Sequence, residues 1–299
     1  MILPEFYLRS RANKVWDESG IDSLAYAKDV DYFKNYPHNV SYNHNSRGFR
    51  DQEWPEDSQL QNAVWCLGDS FTVGLGCEIT HSWPQVLQST INSRTINVSM
   101  DGASNMWIAR KAIELIQTVA PKNIVILWSY FHRREEANDY PDEMRRIFGT
   151  KDATDKDDLL NFVECASSVM SHANSTNVIH GIIPHAVRWT GVGKRYGGET
   201  HLKTTWNNIK GANWPRDCPD TIEQLLSLDS AIIDELKTFF KIYDDIEFNI
   251  FYLEQIKKIS IKNNLGEIKQ LDYARDAHHF GLITSQSFVE QIVPLLQID

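Results

Sequence analysis

From Ala63 onward the chain alternates short apolar runs with stretches whose apolar residues recur every three or four positions. That alternation predicts strands of a parallel sheet covered by helices. The runs at 63–67, 95–99, 123–128 and 177–183 read as strands, with a fifth at 267–271. Helical spacing marks 83–91, 106–119, 159–172, 221–240, 245–261 and 285–296. Repeated strand, helix, strand units of this kind give a doubly wound α/β sheet with right-handed crossovers.

Two stretches depart from the pattern. Residues 1 to 60 are polar, rich in Tyr and Asn and without sustained periodicity, apart from a short helix signal at Ser23-Leu24-Ala25-Tyr26-Ala27. They read as an N-terminal extension packed on a core domain at 61–299, with the turn motif Tyr42-Asn43-His44-Asn45-Ser46-Arg47-Gly48-Phe49-Arg50 as a cover for the first helix. The second is 185–219, an insertion carrying five glycines together with Trp189, Trp206 and Trp214. A loop of that length inside a domain is a lid or a disordered insertion, and three tryptophans favour the ordered alternative.

Charge and cysteine content narrow the function classes. Acidic residues outnumber basic ones by 40 to 30, a formal charge of −10, so the average field repels a nucleic-acid backbone. Cys66, Cys77, Cys165 and Cys218 lie far apart without CxxC pairing and read as reduced thiols, Cys66 being a small buried hydrophobe. Neither a signal peptide nor an apolar run near the ~18 residues of a membrane span is present. The expectation is a soluble protein, cytoplasmic or part of a particle. His278 and His279 are adjacent rather than one turn apart, and His180, His185 and His201 lack partners at ligand spacing, so no metal site is expected.

The chemistry concentrates at two places. In Trp65-Cys66-Leu67-Gly68-Asp69-Ser70-Phe71-Thr72-Val73-Gly74 a strand runs into a tight turn and a helix start, placing Ser70 at the carboxyl edge of the sheet, where such folds bind ligands. Ser70 could equally be a helix cap, since Asp and Ser are both preferred there. A nucleophilic serine needs a base and a group to orient that base. Asp272-Tyr273-Ala274-Arg275-Asp276-Ala277-His278-His279-Phe280-Gly281 supplies both, because Asp276 and His279 are three residues apart on one loop. That spacing lets the carboxylate accept one imidazole N–H and leaves the other nitrogen for Ser70.

These two motifs resemble the nucleophile block and the Asp-x-x-His block of the SGNH (GDSL) hydrolases, a flavodoxin-like family of esterases, lipases and carbohydrate deacetylases. Asn97-Val98-Ser99-Met100-Asp101-Gly102-Ala103-Ser104 is similar to the family's second block, with Gly102 in the place of the oxyanion-hole glycine. The resemblance spans about residues 62 to 290. It implies about five parallel strands flanked by helices in three α/β/α layers. It also implies a catalytic Ser70, Asp276 and His279, an oxyanion hole from the Ser70 and Gly102 amides, and no cofactor.

One block departs. Where the family has Gly-x-Asn-Asp, this chain reads Trp128-Ser129-Tyr130-Phe131-His132-Arg133-Arg134-Glu135-Glu136. Loss of one oxyanion donor costs ~10²–10³ in turnover, so the departure bears directly on activity. Asn105, Ser129, Tyr130 and His132 are the side chains that could replace it. The run His132 to Glu136 reads either as a polar lining of the site mouth or as a solvated helix start with internal ion pairs. The expected activity is hydrolysis of an ester, an O-acetyl group on a carbohydrate, through an acyl-Ser70 intermediate. Two alternatives stand beside it: an O-acyltransferase, and a catalytically degenerate binding or structural module of an oligomer or larger assembly.

Overall fold

The computed structural model describes residues 6–16, 40–135, 147–148, 155–184, 258–259, 262–276 and 278–298. The helices expected at 221–240 and 245–261, the insertion at 185–219 and the short helix at 23–27 lie outside those residues. Five parallel strands form one sheet: β1 (Val64–Gly68), β2 (Thr95–Ser99), β3 (Asn123–Trp128), β4 (Asn177–Ile182) and β5 (Gly266–Glu267), in the order β2-β1-β3-β4-β5. This is the flavodoxin-like order. Every residue of β1, β2 and β3 is buried; β1 and β3 are accordingly near-continuous apolar runs, whereas β2 alternates and its buried Thr95, Asn97 and Ser99 side chains are hydrogen-bonded inside the protein.

Among the described residues, four helices cover the sheet: α1 (Trp83–Ile91), α2 (Asn105–Thr118), α3 (Asp155–His172) and α4 (Leu282–Ile292). The crossover from β1 to β2 runs opposite to those from β2 to β3 and from β3 to β4. Right-handed connections therefore put α1 on one face and α2 with α3 on the other. The C-terminal α4 returns to α1, where Trp83 and Phe288 meet edge to face with centroids 5.1 Å apart. The result is the three-layer α/β/α arrangement. Ser104 starts α2 one residue before the expected boundary, its hydroxyl accepting the Trp107 N–H at 3.1 Å.

The fifth strand is shorter than its sequence pattern. It ends at Glu267 because the backbone beyond it has turned to other partners: the Leu271 and Asp272 N–H groups both donate to Thr284 Oγ1 at 3.0 Å. The Gln270 side chain donates to the carbonyl of His278 at 3.0 Å.

β4 carries a buried histidine with an energetic consequence. His180 Nδ1 accepts the Trp128 indole N–H at 3.0 Å and its Nε2 faces Met170 Sδ at 3.0 Å, so the ring is neutral with its proton on Nε2. Burial lowers its pKa to about 4. Unfolded, the same ring titrates near ~6.5, so the unfolded chain binds a proton that the folded chain refuses between those values. Stability from this group is complete above pH ~6.5 and is lost as pH falls toward 4. Going from pH 7 to pH 5 should cost about 2 kcal/mol of unfolding free energy from this residue alone. Urea melts across that range should show a flatter acid dependence in His180→Gln. Equal slopes in variant and wild type would refute the assignment.

Candidate active site

The β1 to β3 register sets the site. Gly68 pairs with Ser99 on one side and Leu127 on the other, so the segments after all three strands leave the sheet at one carboxyl edge. Ser70, Gly102 and Ser129 to His132 are thereby brought to the same edge. Ser70 opens a single helical turn, Ser70–Val73, whose N-cap is Asp69: the Asp69 carboxylate accepts the Phe71 N–H at 3.0 Å. Ser70 itself is therefore not the cap, and its side chain is released from that duty. Gly102 has φ of +71°, in the left-handed region that favours glycine, at the turn following β2.

The loop carrying Asp276 and His279 is pinched at its base. Tyr273 bridges Phe280, Ala274 N–H donates to the His279 carbonyl at 2.9 Å, and the Asp272 carboxylate accepts the N–H groups of Ile283 and Thr284 at the start of α4. Within the loop, Asp276 Oδ1 accepts the backbone N–H groups of His278 and His279 at 3.0 and 2.9 Å, and Oδ2 accepts His279 Nδ1. Burial alone would push the Asp276 carboxyl up. The His279 charge and these hydrogen bonds outweigh it and hold the group below the usual carboxylate range. Asp276 is thus a carboxylate at neutral pH, and its hold on Nδ1 leaves Nε2 as the open nitrogen.

Ring packing and a backbone hydrogen bond join that loop to the Ser70 turn. The Phe71 ring, next to Ser70 in sequence, packs on His279 with centroids 4.6 Å apart and on His278 at 5.4 Å. Arg275 N–H donates to the Gly76 carbonyl at 3.0 Å. Ser70 and His279 are both buried.

The segment where Gly-x-Asn is missing is fully engaged. Asn105 Oδ1 accepts the Ser129 N–H at 2.9 Å, and its amide lies 3.3 and 3.4 Å from the carbonyls of Ser129 and Tyr130. Ser129 donates its one hydroxyl proton to Asp69 Oδ2 at 2.7 Å. The Tyr130 hydroxyl is 2.9 Å from His278 Nε2, and burial followed by the Asp69 charge pushes its pKa up, keeping the phenol protonated. His132 stacks on the Tyr130 ring at 5.6 Å.

The run after His132 is neither a helix start nor a set of internal ion pairs. Arg133–Arg134 pairs antiparallel with Ile147–Phe148, and each charge reaches a distant partner: Arg133 to Asp69, Arg134 to Asp158, Glu135 to Arg110 and Ser104. Asp69 and Asp158 are wholly buried, so these arginines are pulled inward by carboxylates that need a counter-charge. Spacing within the run gives no sign of this, because these oppositely charged partners are at least 24 residues away.

The segment upstream of β1 is stitched to the same turn. Arg50 donates to the carbonyls of Val73, Gly74, Ser41 and Cys77 and lies over the Tyr42 ring at 4.3 Å. Tyr42 in turn accepts the Gly76 N–H at 2.8 Å. Arg50 thus satisfies the carbonyl end of the turn that Ser70 opens. Cys66, Cys77 and Cys165 stay protonated thiols: Cys66 is pushed well above its ordinary pKa by burial, and burial takes Cys77 and Cys165 up to about 12, while Cys218 lies outside the described residues.

No family model and no curated protein matches the chain. Solved structures similar to it include TesA, at 13% identity over 79% of this chain and 98% of that one, with a TM-score of 0.38. The psychrotrophic esterase EstA from Pseudoalteromonas sp. is 14% identical over 77% of this chain and 93% of its own, with a TM-score of 0.36. A family two carbohydrate esterase from Clostridium thermocellum is 10% identical, with a TM-score of 0.38, and the match spans 81% of this chain but 64% of that one.

Proposed function

We propose that the chain is an SGNH-type serine hydrolase that cleaves an ester through an acyl-Ser70 intermediate. The observation that carries the reading is the Asp276–His279 pair, its open Nε2 held beside the nucleophile turn by the packing of Phe71 on His279. In the reaction, Ser70 Oγ attacks the ester carbonyl carbon while His279 Nε2 takes the hydroxyl proton. Asp276 keeps the imidazole in the tautomer that can accept it. The Ser70 and Gly102 amides hold the oxyanion. His279 returns the proton to the departing alcohol, and water then repeats the cycle on the acyl-enzyme.

As substrate we propose a carbohydrate O-acetyl ester over a long-chain lipid. The support is compositional: the 185–219 insertion interleaves Trp189, Trp206 and Trp214 with polar residues, which suits sugar rings better than an alkyl chain. A second reading, a binding module built on the same fold, draws on the Ser129 hydroxyl, which is committed to Asp69 where the family has a free donor.

Exposure of the purified protein to a fluorophosphonate probe should modify Ser70, located by peptide mass spectrometry, and Ser70→Ala and His279→Ala should both abolish the modification. Folded wild type that stays unmodified would remove the hydrolase reading and favour the binding module. Once Ser70 is shown to be reactive, product partition between water and an added sugar alcohol separates hydrolase from O-acyltransferase.

A further inference from the structure

Both oxygens of the Asp69 carboxylate are engaged inside the protein. Oδ1 accepts the Phe71 N–H at 3.0 Å, while Oδ2 accepts the Ser129 hydroxyl and Arg133 Nη1, each at 2.7 Å. Arg133 Nη1 also donates to Ser129 Oγ at 2.9 Å, and its guanidinium lies over the Tyr130 ring at 4.8 Å. Asp69 is fully buried and the Arg133 side chain is 11% exposed. Capping the Ser70 turn does not call for any of this, because a neutral Asn or Ser caps as well as Asp. A buried ion pair, moreover, returns little net stability once desolvation is counted. What the pair does is join the turn after β1 to the segment after β3, at the position where the sequence lacks Gly-x-Asn.

We propose that Arg133 is a positioning residue for acyl transfer at Ser70, acting through Asp69. By fastening Asp69 from the β3 side, Arg133 and Ser129 fix the turn so that the Ser70 hydroxyl and N–H keep their alignment with His279 and with the Gly102 turn. The chain has replaced a side-chain oxyanion donor by an ion pair that stiffens one of the remaining donors. A shift of about 1 Å at a reacting group costs ~10²-fold in rate, which sets the expected effect. The proposal rests on the acyl-transfer reading above.

Removing Arg133 alone would leave a buried carboxylate without its cation and could unfold the protein. The deciding variant is therefore Asp69→Asn combined with Arg133→Met, which removes both charges together and keeps an N-cap side chain on the turn. Steady-state hydrolysis of p-nitrophenyl acetate by this variant should show kcat about 100-fold below wild type with KM within about threefold, while its melting temperature stays near wild type. Arg133→Lys, which keeps the charge but not the guanidinium fork, should fall between the two. Wild-type kcat in the double variant would overturn the positioning role while leaving the hydrolase reading intact. A folded wild type without turnover would overturn both.

Discussion

Replacing His279 by Ala should lower kcat for an ester substrate by about 10⁶-fold, and Asp276→Asn by about 10⁴-fold, without a comparable change in KM. The two effects differ for a structural reason. His279→Ala removes the group proposed to take the Ser70 proton. Asp276→Asn keeps a carbonyl oxygen that can still accept the backbone N–H groups of His278 and His279, so the loop should hold its shape. Its amide nitrogen, however, would confront His279 Nδ1 with a donor, and the ring would respond by moving its proton to Nε2. An imidazole protonated there cannot accept from Ser70, so geometry survives while the base is lost. Measured kcat, KM and thermal melts of both variants test this. A loss in Asp276→Asn no larger than tenfold would mean that the carboxylate does not set the tautomer.

The same contrast between local and distant constraint explains how much the sequence disclosed. Strands β1 and β3 were legible because both faces of a parallel sheet are buried, which forces near-continuous apolar runs, and β2 and β4 were read as strands although Thr95, Asn97 and Ser99 interrupt the one and His180 the other. The two halves of the site were legible because each is a local device: a Gly-Asp-Ser turn after a strand, and a carboxylate three residues before a histidine. Residues acting across the chain were not. Arg50 sits in a polar stretch with no periodicity, yet it satisfies carbonyls 23 to 27 residues ahead. Arg133 pairs with Asp69 across 64 residues, so its neighbours Glu135 and Glu136 looked like its natural partners. Charge pairs chosen by burial rather than by spacing carry no local signature, and the departure from Gly-x-Asn was the one hint that something else had to hold the turn. The fifth strand was over-read for a related reason: Lys269, Gln270 and Leu271 continue a strand-like pattern, while the Gln270 side chain is already tied to the His279 carbonyl and the Leu271 N–H to the Thr284 hydroxyl.

The Ser70 turn also sets the largest expected stability change. Gly68 is the last residue of β1, and a Cβ placed there would stand 2.1 Å from Thr72 Oγ1 and 2.8 Å from the Leu127 carbonyl oxygen. Neither neighbour can retreat easily. Thr72 Oγ1 accepts the Trp83 indole N–H at 3.2 Å, and the Leu127 carbonyl belongs to the adjacent central strand. Gly68→Ala must therefore push β1 away from β3 or displace the turn that carries Ser70, and overpacking of this kind costs roughly 3 kcal/mol. Gly181, in β4, is the natural control: a Cβ there meets the Phe288 ring at 3.1 and 3.2 Å and Ile268 at 3.3 Å, side-chain atoms that can give by a few tenths of an ångström. Gly181→Ala should cost under about 1 kcal/mol and leave turnover unchanged, whereas Gly68→Ala should lose stability and activity together, because the strain falls on the nucleophile turn itself. Denaturant midpoints and kcat of the two variants decide it. Equal midpoints would show that the close approach at Gly68 relaxes without moving the sheet.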